Sequence, residues 1–190
     1  TGKSAPHSSL PNMYRWKEDV IWHRRPLSPK EAKRGTVGIP RVLNMYEDFP
    51  FWHAFFGRLG YRVLTSSEQI REISTEAMET IPSYSECFPA KLAHSHVADL
   101  AKHHPDFIWY PCIDKGPDEG STNSYHCPMV ASYPENIEAN MGEILGKYKV
   151  KLLHPFLPLH APKPLLKQLK KVFAPMGISS SELESAIHAG

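Results

Sequence analysis

Between Thr36 and Leu153, short β-branched or aromatic runs alternate with helical patterns of roughly 10 to 15 residues, and nothing else in this chain constrains its fold as strongly. Thr36 to Ile39 is a β-branched run closed by Pro40, and the helical pattern after it runs through Phe51, Trp52, Phe55, Phe56 and Leu59 to Gly60. Tyr61 to Thr65 reads as a second strand, and Ser66 with Gln69 predicts a capped helix reaching Met78. Phe88 to His103 reads as a third helix, with Pro89 in its first turn, where a missing N–H is harmless. Asp106 to Tyr110 is a strand stopped by Pro111. Ser132 and Glu135 then predict the cap of a helix through Ile137, Met141, Ile144 and Leu145, and Val150 to Leu153 supplies a fourth strand. Parallel strands need crossovers, and each crossover packs a helix on the sheet. The expected class is α/β, a Rossmann-like or flavodoxin-like open parallel sheet with helices on both faces.

The flanks break this rhythm. Residues 1–35 carry Pro6, Pro11, Pro26, Pro29 and the charge run Lys30 to Arg34, and read as an N-terminal extension whose Tyr14, Trp16, Val20, Ile21 and Trp22 are available to dock. Residues 36–160 read as the α/β domain. Residues 161–190 read as C-terminal helices leading into a further portion: Leu165, Leu166, Leu169, Val172 and Phe173 form one stripe, Gly177 closes it, and Ser179 with Glu182 opens another helix. The chain starts without methionine and stops after a helical pattern, so we expect a fragment of a longer protein.

The formal net charge is only +2, with cations and anions interspersed, so no basic stripe faces a nucleic-acid backbone. The longest apolar runs fall far short of the roughly 20 residues a membrane span requires, and Thr1 to Ser4 does not open a signal peptide. Three cysteines without a secretory signal point to a reducing compartment, and the expected location is cytoplasmic. Neither GxGxxG, GxxxxGK[ST] nor GxSxG occurs, which argues against dinucleotide, P-loop and hydrolase chemistry.

In an open α/β sheet, ligands bind beyond the carboxyl ends of the strands. Cys112 follows the strand ending at Tyr110, Cys87 precedes the helix starting near Phe88, and Cys127 precedes the helix capped by Ser132, so all three fall at that edge. Three thiolates suit a [4Fe–4S] cluster with one open iron, or a zinc completed by a residue such as His126. Intervals of 25 and 15 residues match no compact ligand motif, so ordinary buried cysteines remain an equal alternative on the residues alone. Lys91 and His94 share a helix face with Cys87 and are candidates to supply charge or a proton. His94 and His96 point in different directions and are poorly placed to chelate together. Arg41, after the first strand, could hold a phosphate or carboxylate. Phe49, Phe51, Trp52, Phe55 and Phe56 read as core.

Several strings recur together in one known family: Gly38-Ile39-Pro40-Arg41-Val42-Leu43-Asn44-Met45-Tyr46-Glu47, Pro50-Phe51-Trp52, Ser85-Glu86-Cys87-Phe88-Pro89-Ala90-Lys91-Leu92, Tyr110-Pro111-Cys112, and Cys127-Pro128 through Ser132-Tyr133-Pro134. Over roughly residues 33 to 158 the chain resembles the acyl-CoA dehydratase activase-related domain, itself similar to 2-hydroxyacyl-CoA dehydratase subunits. One departure is Ser95, where the family has glycine between two histidines. The resemblance implies a [4Fe–4S] cluster on Cys87, Cys112 and Cys127, and as partners an ATPase activator domain or dehydratase subunits. It further implies an acyl-CoA thioester as the reacting class, dehydrated through a radical after ATP-dependent electron transfer under anaerobic conditions. Whether this domain itself catalyses is left open by the resemblance.

Overall fold

The structure, a computed structural model, describes residues 10–116 and 124–190; Thr1 to Ser4 and Pro6 lie outside them. Among the described residues the chain runs α1 (Met13–Trp22), β1 (Thr36–Ile39), α2 (Met45–Leu59), β2 (Arg62–Thr65), α3 (Thr75–Met78), α4 (Phe88–Lys102), β3 (Phe107–Trp109), α5 (Pro128–Ala131), α6 (Tyr133–Asn140), α7 (Gly142–Tyr148), β4 (Lys151–Leu153), α8 (Pro162–Phe173) and α9 (Ser180–Ala189). The strands form one parallel sheet in the order β2-β1-β3-β4. Val37 lies opposite both Val63 and Phe107, and Ile108 opposite both Gly38 and Leu152. The chain steps from β1 to one side and then crosses back to the other. This is the α/β, flavodoxin-like arrangement that the alternation predicts.

Side chains alternate faces along a strand, so β3 shows which helices lie where. Phe107 and Trp109 turn toward α2, with ring centroids 5.9 Å and 5.4 Å from Phe56. Trp109 also meets Trp52 at 5.0 Å and Phe173 of α8 at 5.5 Å. Ile108 turns the other way, under α4. A Cβ on Gly38 would come within 3.2 Å of Leu100 and 3.4 Å of Ile108, so a glycine in the central strand lets α4 lie close to the sheet. One face is therefore covered by α2, α8 and α9, the other by α4 with α6 and α7.

Both long helices end and pack as their sequences dictate. Gly60, at φ 87°, closes α2 in the left-handed conformation that favours glycine. Phe49, Trp52, Phe55 and Phe56 are all buried core, while Phe51 is half-buried.

Several readings differ, among them the helix expected through Ile137, Met141, Ile144 and Leu145, which is two helices, α6 and α7, meeting at Met141. The segment after β2 is not helical until the short α3, because Ser66 does not cap a helix: its hydroxyl accepts from the Arg41 amide at 2.9 Å and meets His96 Nδ1 at 2.7 Å. A tertiary bond outcompetes the local cap. Conversely, the extension holds a helix, α1, whose cap is the Asn12 side chain accepting from the Arg15 amide at 3.1 Å. Ser132 does precede α6, but its hydroxyl donates to the Pro128 carbonyl rather than capping.

The C-terminal helices complete one face of the sheet. Leu165, Leu169, Phe173, Leu183 and Ala186 are buried in the same core as Trp109, and Ser179 with Glu182 makes the expected capping box. Phe173→Ala should cost about 3–5 kcal/mol, as large aromatic truncations in well-packed cores do. Urea unfolding followed by tryptophan fluorescence and far-UV circular dichroism should show one lowered, coincident midpoint. Separate transitions by the two probes would mean that α8 and α9 fold apart from the sheet.

Candidate functional site

The carboxyl edge of the sheet collects the loops after β1, β2 and β3 and the starts of α2, α4 and α5. In the loop after β1, Leu43 adopts φ 43°, a conformation costly for a branched side chain and found mainly where surroundings enforce it. It delivers the chain into α2 with Asn44 and Asp48 both buried, Asn44 Nδ2 donating to Asp48 Oδ2 at 3.1 Å. Burial pushes the Asp48 carboxyl up to about 6, against the Asn44 bond and nearby His126, which both lower it. Asn44 Oδ1 and, after β3, the Tyr110 hydroxyl are buried with no hydrogen-bond partner among the described residues.

Cys87 and Cys127 each sit at the N-cap of a helix, α4 and α5, with proline in the first turn and no side-chain capping bond. Both are exposed, so both thiols are free to bind. Cys112 differs. It is fully buried, held in a parallel bridge to Phe156 that continues β3 and β4: its amide donates to Pro155 O at 3.0 Å and its carbonyl accepts from Leu157 N at 2.9 Å. Burial, reinforced by the charge of Glu135, pushes its thiol up to about 12, so it keeps its proton at neutral pH.

The donor chemistry suits a thiolate-bound metal, and Cys87 and Cys112 lie within electrostatic reach of the neighbouring pair Tyr133 and Tyr110. Yet among the described residues no group of three or more His, Cys, Asp or Glu side chains closes into a metal-binding set. The cysteines share an edge without converging on a point. His126 instead turns its Nδ1 to the Ile113 carbonyl at 2.9 Å.

Beside Cys87 runs a half-buried polar chain that spacing alone does not reveal. Tyr133 donates to Glu86 Oε2 at 2.5 Å and meets His94 Nε2 at 2.9 Å; His94 Nδ1 meets Thr80 Oγ1 at 2.7 Å. The Thr80 hydroxyl donates its one proton to the Ala77 carbonyl at 2.7 Å and Tyr133 donates to Glu86, so each offers His94 an acceptor oxygen, and a neutral imidazole with one N–H satisfies one of the two. His94 is fully buried and points away from solvent. Lys91 Nζ binds the Tyr84 carbonyl at 2.6 Å, holding the loop before α4. His96, as its spacing requires, points elsewhere, to Ser66. Ser95 is also buried and accepts from the Ser74 amide at 2.9 Å, a bond glycine could not make. Arg41 is buried at the end of β1, its Nη2 3.0 Å from Glu18.

Sequence reasoning missed Glu86, Tyr133, Thr80 and Ser66. Tyr133 had a signal, a hydrogen-bonding aromatic at the start of a helix on the ligand edge; its partner His94 is 39 positions away and only folding pairs them.

Two tests follow from this chemistry. Tyr133→Phe removes the one group that satisfies both Glu86 and His94, and should lower stability by about 1–3 kcal/mol in urea titration; an unchanged midpoint would show the chain to be incidental. Burial lowers both His94 and His96 to about 4, from an ordinary 6.5. The native protein refuses protons that the unfolded chain accepts, so their stabilisation is complete above pH 6.5 and is lost as pH falls toward 4. Asp48, raised from 3.8 to about 6, acts oppositely but alone. The urea midpoint should therefore drop between pH 6.5 and 4, by an amount on the order of 2 kcal/mol, and His96→Asn should flatten that dependence.

Neither the curated proteins nor the solved structures contain a match to this chain. No helix among the described residues is long and apolar enough to cross a membrane. A family model does match, over residues 36–190, which takes in the whole sheet, every cysteine and the two C-terminal helices. The chain belongs to the family described as the CoA enzyme activase uncharacterised domain (DUF2229).

Proposed function

We propose that this chain is the iron–sulfur domain of a 2-hydroxyacyl-CoA dehydratase/activase system, with Cys87, Cys112 and Cys127 as the ligands of a [4Fe–4S] cluster. The reading is supported by family membership and by one observation above the rest: every cysteine of the chain falls on the ligand-binding edge of its sheet. When bound, such a cluster supplies one-electron transfer and an open iron for a thioester carbonyl. Its partners would be an ATPase activator or dehydratase subunits, its substrate class acyl-CoA.

The chain's own residues have definite tasks in this reading. Cys87 and Cys127 present exposed thiols from the N-cap positions of α4 and α5. Cys112 has to release its proton and leave its apolar packing, so ligation should be coupled to proton release and to local opening of the Cys112–Phe156 bridge. Tyr133 fixes Glu86, and through it the main chain entering Cys87. His94 stays neutral and buried, and with Lys91 orders the start of α4.

A second reading, a partner-docking domain without metal, is favoured by the burial of Cys112 and the unclosed donor set among the described residues. Anaerobic reconstitution with ferrous iron and sulfide separates the two. The first predicts a brown protein with iron and sulfide in equal amounts and a paramagnetic signal on one-electron reduction. Each single Cys→Ser change should lower iron content, with Cys112→Ser lowering it at least as much as the exposed pair. A chain that stays colourless, and whose triple Cys→Ser variant folds as well as wild type, leaves only the docking reading.

A further inference from the structure

Past the end of β3 the backbone puts Tyr110 and Cys112 on one face of the sheet. The Tyr110 amide donates to Leu153 O and the Cys112 amide to Pro155 O, each at 3.0 Å, so the two segments advance in step. Side chains two residues apart on such a run share a face, and this one is the face of Ile108, covered by α4 and α6. Both residues are fully buried there. Cys112 carries a protonated thiol, and Tyr110 a hydroxyl with no hydrogen-bond partner among the described residues. Trp52 Nε1 and Trp109 Nε1 are unpartnered too, but their rings lie together on the opposite face, 5.0 Å apart.

The surroundings of Tyr110 set it apart. Burial first, and then the charges of Tyr133 and Cys112, hold its hydroxyl well above the ordinary tyrosine range, so at neutral pH it has a proton to donate. Tyr133 is raised by burial, by Glu86 and then by Cys87, so the two tyrosines link Cys87 to Cys112. Tyr133 donates to Glu86 at 2.5 Å. Tyr110 donates to nothing. A buried hydroxyl without a partner lowers stability, whereas a buried thiol that must lose its proton to bind a metal needs a donor beside the charge it then carries.

We infer that Tyr110 is a positioning residue for Cys112, an inference that rests on the reading of Cys112 as a metal ligand: when Cys112 binds as a thiolate, the Tyr110 hydroxyl donates a hydrogen bond to its sulfur. The S–H bond breaks, the metal–sulfur bond forms and the thiol proton leaves to solvent, while the tyrosine proton stays on oxygen. The hydroxyl therefore destabilises the metal-free chain and stabilises the ligated one, a reversal of sign that a packing role does not produce.

Tyr110→Phe keeps the ring and removes the donor. In the metal-free chain its urea midpoint should rise above wild type, because an unpaired buried polar group is gone. Cadmium ion alone, titrated into the reduced full chain and followed by the ultraviolet thiolate-to-metal band, should bind about tenfold more weakly to Tyr110→Phe. The same band should shrink in Cys112→Ser. After anaerobic reconstitution the cluster of Tyr110→Phe should have a more negative reduction potential, since a donor to a ligating sulfur favours the more negatively charged, reduced state. A chain that takes up no iron yet binds cadmium with this Tyr110 dependence would end the iron–sulfur reading and keep the inference. A brown protein whose cadmium affinity is unmoved by Tyr110→Phe would do the reverse. A midpoint that fails to rise in Tyr110→Phe, or a cadmium band unchanged in Cys112→Ser, overturns the inference.

Discussion

Parallel pairing on both sides of β1 governs everything else in this molecule. Neighbouring parallel strands cannot be joined by a tight turn, so each connection must leave at the carboxyl end, cross a face as a helix and return. Loops and helix starts are thereby gathered on one rim. Arg41, Ser66, Cys87, Cys112 and Cys127 are scattered along the sequence, yet the topology brings them all to the same rim.

The rim is polar in a way that the rest of the interior is not. Below it, β3 and α2 form an aromatic layer of Trp52, Phe55, Phe56, Phe107 and Trp109. At its upper border the buried groups turn titratable: Asp48, His94 and His96 each sit in an environment that penalises the charged form. Structural polar groups are normally paired, and Glu86, Tyr133, His94 and Thr80 form a continuous chain of contacts. Among the described residues Arg41 Nε, Asn44 Oδ1 and the Tyr110 hydroxyl are buried without a partner, and Leu43 nearby carries backbone strain. Unpartnered polar atoms and backbone strain cost stability, and the unpartnered atoms are not confined to the rim: among the described residues Trp52 Nε1, Arg62 Nε and Trp109 Nε1 are also buried without a partner.

How much of this could be read from the sequence depends on the range of the interaction concerned. The α2 and α4 stripes, the glycine stop at Gly60 and the four strands are set by neighbours a few residues apart, and the sequence pattern predicts them closely. The helix expected from Ser66 failed because its hydroxyl is claimed by Arg41 and His96, from other parts of the chain. The burial of Cys112 is of the same kind. It follows from a bridge to Phe156 that extends two strands past their apparent ends, and no local pattern encodes it.

That bridge makes the three cysteines unequal. Cys87 and Cys127 sit on helix caps that cost nothing to expose, whereas Cys112 is a protonated thiol locked by two main-chain hydrogen bonds. Any ligand that needs all three must therefore be bound at the expense of the β3–β4 extension, and its affinity would be reduced by the free energy of opening it. Arg41, at the end of β1, is likewise engaged from within the chain, by Glu18 at 3.0 Å and Glu68 at 3.6 Å. Both halves of the rim are thus closed by contacts from the chain itself, one a strand bridge and one an ion pair.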